Sequence, residues 1–206
     1  NDVANIDLMR QKLAMDLKNP NDTSQIDFVL SDIIQDPIVR YEELKSSLMV
    51  SLDSNSVEDL LIKINLGARL HNIGKICIPL SLIDGGKVGK SQKAQIATHI
   101  KEGERILTAF GFPDEVKDMA LYHHAKKNYY KEILESIERA QNNTEIPIQA
   151  KLIEILDIYN AMTTPRSYRP EVKSRLEALH IIKNDIGSDN TSRELYNLFI
   201  QYLLNN

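Results

Sequence analysis

Hydrophobic residues recur at helical spacing along almost the whole chain. Ile6, Met9, Leu13 and Leu17 mark a first amphipathic stretch, which Asn19-Pro20-Asn21-Asp22 interrupts. Ile26, Val29, Leu30 and Ile33 mark a second, closed by Asp36-Pro37, because the residue before a proline is pushed out of helical geometry. A third runs from about residue 38 to residue 52. Ser56 is placed to cap the next helix, with Glu58 and Asp59 at its positive end. That helix is expected to turn Val57, Leu60, Leu61, Ile64, Ala68 and His71 inward, and Gly74 to stop it.

Residues 75–91 read as loop, with a short helical turn after Pro79. One long helix should follow, with Ile96, His99, Ile100, Ile106, Leu107 and Phe110 inward. Pro113 opens the next at a first-turn position, where proline is tolerated, and Val116, Met119, Ala120 and His123 face in. Residues 129–140 read as a more polar helix, followed by a polar loop over 141–145. Pro147 opens a helix carrying Leu152, Ile153, Leu156, Asp157 and Met162, and Thr163-Thr164-Pro165 stops it. Pro170 should open a helix to about Asn184, and Thr191 or Ser192 should cap the last one. With no alternating strand pattern, internal repeat or low-complexity tract, the fold class is all-α. The expected layout is a helical N-terminal extension or small subdomain over residues 1–52 and a main helical domain over 53–206.

Composition narrows the function classes. The 206 residues suit one domain with such an extension, and 42% hydrophobic content is ordinary for a globular core. A net charge of −4 gives no basic face for duplex nucleic acid. The single Cys77 excludes an intrachain disulfide and fits a reducing, cytoplasmic location. The longest apolar run, residues 76–83, is broken by Pro79 and Ser81 and is too short to span a bilayer; no signal peptide is visible. The chain begins with Asn1 and not methionine, so an upstream sensor or receiver domain of a longer protein is among the expected partners.

The chemistry-bearing residues are weak signals one by one. A histidine on an apolar helical face is usually a satisfied core residue. Adjacent histidines such as His123-His124 point about 100° apart on a helix and reach one centre only if it lies between them. Asp157 sits inside an apolar helix, where a carboxylate needs a metal or an internal cation. Order and spacing add more. The segment Leu70-His71-Asn72-Ile73-Gly74-Lys75-Ile76-Cys77-Ile78-Pro79 resembles the His-Asp-Ile-Gly-Lys-Ile-x-Ile-Pro signature of HD-GYP domains, a bacterial branch of the HD phosphohydrolase superfamily. The resemblance continues at Ala97-Thr98-His99-Ile100 and Tyr122-His123-His124. It is strongest over residues 145–163, where Asp157-Ile158-Tyr159-Asn160-Ala161-Met162-Thr163 looks like the family's Asp-x-Tyr-Asp-Ala-Leu-Thr motif. Arg166, Tyr168 and Arg169 resemble its Arg-Pro-Tyr-Arg element, and the likeness covers about residues 57–200.

The resemblance implies an all-helical domain that holds iron or manganese between helices and hydrolyses cyclic di-GMP or a related cyclic dinucleotide. It implies that His71 and Asp157 bind a first metal, that His99, His123 and His124 surround a second, and that an aspartate at position 72 bridges the two. It also places Lys75 and Arg166 against the substrate phosphate. Lys126, Lys127 and Lys131 read as a solvated face; beside Lys75, Arg166 and Arg169, Lys126 and Lys127 would extend an anion pocket.

Three departures cut into that inheritance. Asn72 stands at the bridging position, and a neutral amide is a poorer bridge between cations than a carboxylate. No histidine precedes His71, where the family has one; Asp36 is the nearest substitute. The Gly-Tyr-Pro element is absent, residues 125–147 contain no glycine, and Ala125 replaces the family's glutamate. The leading reading is therefore a degenerate HD-GYP domain with a binding or regulatory role. At most one tightly held ion (iron, manganese or zinc) is expected, at the three downstream histidines. The alternatives are an active hydrolase with a single metal or with ligands from Asp36 or Glu154, and a non-catalytic docking or homodimerisation module.

Overall fold

The structure is a computed structural model describing residues 4–36, 40–83, 89–126, 128–141, 145–166 and 171–205. Helices follow one another along the chain: α1 (Ile6–Ala14), α2 (Ser24–Gln35), α3 (Tyr41–Ser51), α4 (Val57–Leu70), a 3-10 turn (Ile73–Cys77), α5 (Leu80–Ile83), α6 (Lys90–Ala97), α7 (His99–Ala109), α8 (Asp114–Tyr122), α9 (Asn128–Glu135), α10 (Glu138–Gln141), α11 (Ile148–Thr163), α12 (Arg175–Ile186) and α13 (Asn190–Asn205). No strand occurs among the described residues, so the all-α expectation holds. None of their helices is long and apolar enough to cross a membrane. The chain divides into two compact units: Asn1–Ser46 with Ile155–Pro165 and Pro170–Asn206, and Ser47–Glu154 with Arg166–Arg169.

In the first unit, α1, α2, α12 and α13 pack on one another. Met9 and Leu13 of α1, Val29, Leu30 and Ile33 of α2, Leu179 and Ile182 of α12, and Tyr196 and Ile200 of α13 are fully buried. Each such side chain contributes roughly 1.5–3 kcal/mol of burial. The start of α12 is fixed by polar contacts. Ser174 and Glu177 form a reciprocal capping box, the Glu177 amide donating to Ser174 Oγ at 3.2 Å and the Ser174 amide to Glu177 Oε2 at 3.1 Å. The Asp16 carboxylate accepts from the Leu176 amide and from Arg175 Nε, both at 3.2 Å. The helix thus begins at Arg175 and not at Pro170, which lies outside the described residues. Likewise α13 begins at Asn190. Ser192 is inside it, its hydroxyl donating to Asp189 at 2.9 Å, so neither Thr191 nor Ser192 is the cap.

The second unit holds α4 to α10 with the end of α3 and the start of α11, and several expectations about it are corrected. On α4 the inward stripe is Leu60, Ile64 and Gly67, while Val57, Leu61 and Ala68 are exposed. Gly67 moves the stripe: a Cβ there would lie 2.1 Å from the Met119 side chain, so α8 sits where a bare backbone admits it. Gly74 does not stop α4 through a left-handed conformation. It belongs to the 3-10 turn packed on α7, and a Cβ would meet the His99 carbonyl at 1.9 Å and the Gly103 amide at 2.5 Å. The expected long helix around His99 is two helices. Thr98 Oγ1 donates to the Gln95 carbonyl at 2.7 Å and His99 Nδ1 to the Ile96 carbonyl at 2.7 Å, drawing two acceptors out of the ladder. At the far end of α7, Gly111 (φ 71°) lets its own amide reach Thr108 and the Phe112 amide reach Leu107, each at 3.0 Å. That closure turns Phe112 toward the core and leaves Phe110 78% exposed instead of inward.

The core of this unit joins Leu48, Leu52, Leu60, Val116, Met119 and Ile153. The link from α3 to α4 is closed by Lys63, whose ammonium donates to the Leu52 and Asp53 carbonyls at 2.6 and 2.7 Å, with Asp53 left-handed at φ 44°. Arg139 braces α10 on α8, with Nε 3.0 Å from Asp118 Oδ1, and burial pushes the Asp118 carboxyl above its ordinary pKa despite that contact.

The contacts of the two glycines rank their substitutions. Gly74→Ala should lower stability by about 1–3 kcal/mol or more, because backbone atoms must move. Gly67→Ala should cost less, because the flexible end of Met119 can swing away. Denaturant midpoints of the two variants check the order.

Candidate metal centre

The second unit brings helix ends together. His71 is the C-cap residue of α4, His99 the first residue of α7, and His123 the C-cap residue of α8. Each imidazole turns Nδ1 back to a carbonyl three residues earlier: Ala68 at 2.8 Å, Ile96 at 2.7 Å and Ala120 at 3.0 Å. A carbonyl can only accept, so Nδ1 carries the proton in all three. These bonds occupy carbonyls at helix ends, where the ladder runs short of donors. They also leave the Nε2 lone pair of each neutral ring directed away from its own helix. A histidine that ligates a metal usually spends its other nitrogen in this way.

His99 and His123 are fully buried, with Nε2 atoms 3.4 Å apart. With both rings neutral both Nε2 atoms are acceptors, and a cation between them would remove their repulsion. Two nitrogens each ~2.0–2.1 Å from a tetrahedral ion stand about 3.3–3.4 Å apart, so this separation fits one ion. His124 follows on the turn after α8, its ring centroid 4.0 Å from that of His123. Ligand atoms of His99, His123 and His124 all lie within 4.8 Å of one another. This is the one group of metal-ligand type found among the described residues. Tyr130 of α9, 4% exposed, packs its ring 4.7 Å from His124 and 5.9 Å from His99. Tyr130 falls within the helix expected over residues 129–140, and the amphipathic spacing of Tyr130, Ile133 and Leu134 is the signal that it faces in.

His71 reaches the same neighbourhood, its ring centroid 4.9 Å from that of His123, but its ligand atom is engaged. Asn72 Nδ2 donates to His71 Nε2 at 2.6 Å, and Asn72 Oδ1 is buried without a hydrogen-bond partner. An orphaned buried acceptor costs roughly 1–3 kcal/mol. An aspartate could not make this contact with a neutral imidazole, since both partners would be acceptors.

The other expected site residues are distributed as follows. Lys75 lies half-buried in the 3-10 turn, and Lys126 Nζ is 3.9 Å from Oε2 of Glu154, which is 4% exposed. Arg166 is half-buried in the second unit; Lys127 and Arg169 lie outside the described residues. Asp157 is half-buried on the part of α11 assigned to the first unit. Asp36 ends α2 in that same unit and forms an ion pair with Arg40.

Compared with known protein families, the chain matches the HD domain over residues 28–191. No curated protein matches it.

Metal loading separates the two halves of the cluster. Protein equilibrated with zinc or manganese and then desalted should retain about one ion per chain by elemental analysis. His123→Ala and His124→Ala should each drop that well below stoichiometric, and His71→Ala should leave it unchanged. Two ions per chain, or loss on His71→Ala, would show that Asn72 does not withhold His71.

Proposed function

Because the chain belongs to the HD domain family, we propose that it is a degenerate domain of the HD-GYP type, a regulatory or binding module of bacterial cyclic-dinucleotide signalling that hydrolyses cyclic di-GMP little or not at all. HD domains are a metal-dependent phosphohydrolase-type family, and the three-histidine cluster is the part of that apparatus most fully present. The observation that carries the reading is the Asn72–His71 contact. Two-metal hydrolysis needs an anionic bridge and a free first-site imidazole. This chain offers a neutral amide in place of the first, and that amide's N–H₂ group occupies the lone pair of the second.

An ion held by His99, His123 and His124 would supply Lewis acidity to a phosphate oxygen or a water. Lys75 and Arg166 are the cations proposed to meet a phosphate. Lys126 is partly neutralised by Glu154, so the anion pocket is weaker than three or four free cations would make it. The absent Gly-Tyr-Pro element and the lack of a histidine before His71 act in the same direction. Ligand binding with little turnover is the consequence. A cytoplasmic location, an upstream sensor or receiver domain, and a homodimer belong to the same proposal. The intact histidine cluster favours one competing reading, a hydrolase that works with a single metal.

Turnover decides between them. Manganese- or iron-loaded protein should show cyclic di-GMP hydrolysis orders of magnitude below the typical enzymatic range of roughly 1–10³ s⁻¹. Asn72→Asp should raise metal content above one per chain, since a carboxylate against His71 Nε2 calls for a cation between them. It should not restore full activity, because the upstream histidine is still missing. Enzymatic turnover by the unaltered protein establishes the single-metal hydrolase instead.

A further inference from the structure

The first unit contains a cavity of about 270 Å³ between the end of α2, Arg40 and α13. Its lining is charged in both senses and nearly balanced. Two of its carboxylates are already matched: Asp36 pairs with Arg40, and Asp32 Oδ2 lies 3.1 Å from the buried Lys183 ammonium. Two further groups are less engaged, and Glu194 acts on Arg40 only through space. Arg193 uses Nε on the Gly187 carbonyl at 3.0 Å, and its terminal nitrogens find no acceptor among the described residues. The neighbouring Glu194 carboxylate is exposed and makes no hydrogen bond among them.

The cavity wall holds a stronger signal. Gln201 is 4% exposed, lines the cavity, and has no hydrogen-bond partner for its side-chain amide among the described residues. One helical turn earlier, Asn197 also lines the cavity, with its Oδ1 buried and unpartnered. Buried amides are hydrogen-bonded in most proteins, and an amide on a buried side chain that lines the cavity with no protein partner calls for a polar occupant there. The volume is below the roughly 300–1,000 Å³ of sites for drug-sized ligands. Phosphate esters are disfavoured, because with Asp36 on Arg40 and Asp32 on Lys183 only Arg193 is left to meet an anion, and the Glu194 carboxylate adjoins it.

We propose that this cavity binds a small zwitterion of the free α-amino acid class, with its carboxylate on Arg193, its ammonium on Glu194, and a polar side chain on the amides of Gln201 and Asn197. Adjacent opposite charges at the rim match the adjacent opposite charges of such a ligand. The two amides supply the donors and acceptors that select a side chain carrying an amide or a hydroxyl.

The full chain can be screened against the common L-amino acids at millimolar concentration, by saturation-transfer NMR and thermal shift. At least one amide- or hydroxyl-bearing amino acid should give transfer and raise the melting temperature. Its decarboxylated amine and its deaminated acid should not. Arg193→Gln, at the partly exposed rim, should weaken binding by about tenfold or more, equivalent to about 1.4 kcal/mol. Gln201→Leu should do the same, with circular dichroism to confirm that it folds, and His124→Ala should leave binding intact. If no amino acid binds, the cavity holds only water and the proposal fails. It fails equally if binding survives both substitutions or if inorganic phosphate competes for the site. None of these outcomes bears on cyclic di-GMP turnover.

Discussion

The imidazole-to-carbonyl hydrogen bond at a helix end is the interaction on which the second unit's site depends. It recurs at His71, His99 and His123, and in each case it does two things. It occupies a carbonyl where the helix ladder stops, a stabilisation of about 0.5–1.5 kcal/mol each. It also fixes the tautomer, so the remaining lone pair projects past the end of the helix. Three helix ends brought close together therefore deliver three lone pairs without any of the rings needing a further orienting partner. The Gly74 contact with the His99 carbonyl and the Gly67 contact with Met119 keep those ends close, because neither approach leaves room for a Cβ.

This arrangement makes no demand on the charge at position 72. The helix-end bonds involve backbone carbonyls and neutral imidazoles, and none needs a carboxylate. Asn72 takes no part in these bonds, so the scaffold does not depend on an acid or an amide there. Asn72 is not passive, however. Asn72 supplies a donor where a metal would supply a positive charge, and His71 Nε2 accepts it. The amide's other end stays buried without a partner, a residual cost in keeping with a position shaped for something other than an amide.

What could be read from the sequence follows from what each signal encodes. Helical spacing identified most of the elements, and the order His71, His99, His123-His124 gave the residues whose rings meet. Periodicity reports which residues are apolar and says nothing of residues buried for lack of a side chain. Gly67 was thus invisible to it, and the α4 stripe came out displaced onto Leu61 and Ala68. Phe110 and Phe112 are equally apolar, and only the reversal at Gly111 decides that Phe112 turns in. The break at Thr98 depends on two side chains competing for ladder carbonyls, which composition does not disclose. The capping box Ser174-x-x-Glu177 was legible, but Pro170 drew the helix start toward itself. The packing of α1 and α2 with α12 and α13 was beyond reach, since an amphipathic face shows that something covers it and not what.

Asn72 marks the boundary between these kinds of information. That position 72 carries a neutral amide and not an acid is a statement about residue type, and a sequence carries it fully. That it also withholds His71 is a statement about a rotamer and a tautomer. It depends on His71 Nδ1 being held by the Ala68 carbonyl, which makes Nε2 an acceptor that an amide can satisfy and a carboxylate cannot. One side chain therefore brings no charge of its own and occupies its neighbour's lone pair. The cluster of His99, His123 and His124 does not use that nitrogen and keeps its own geometry.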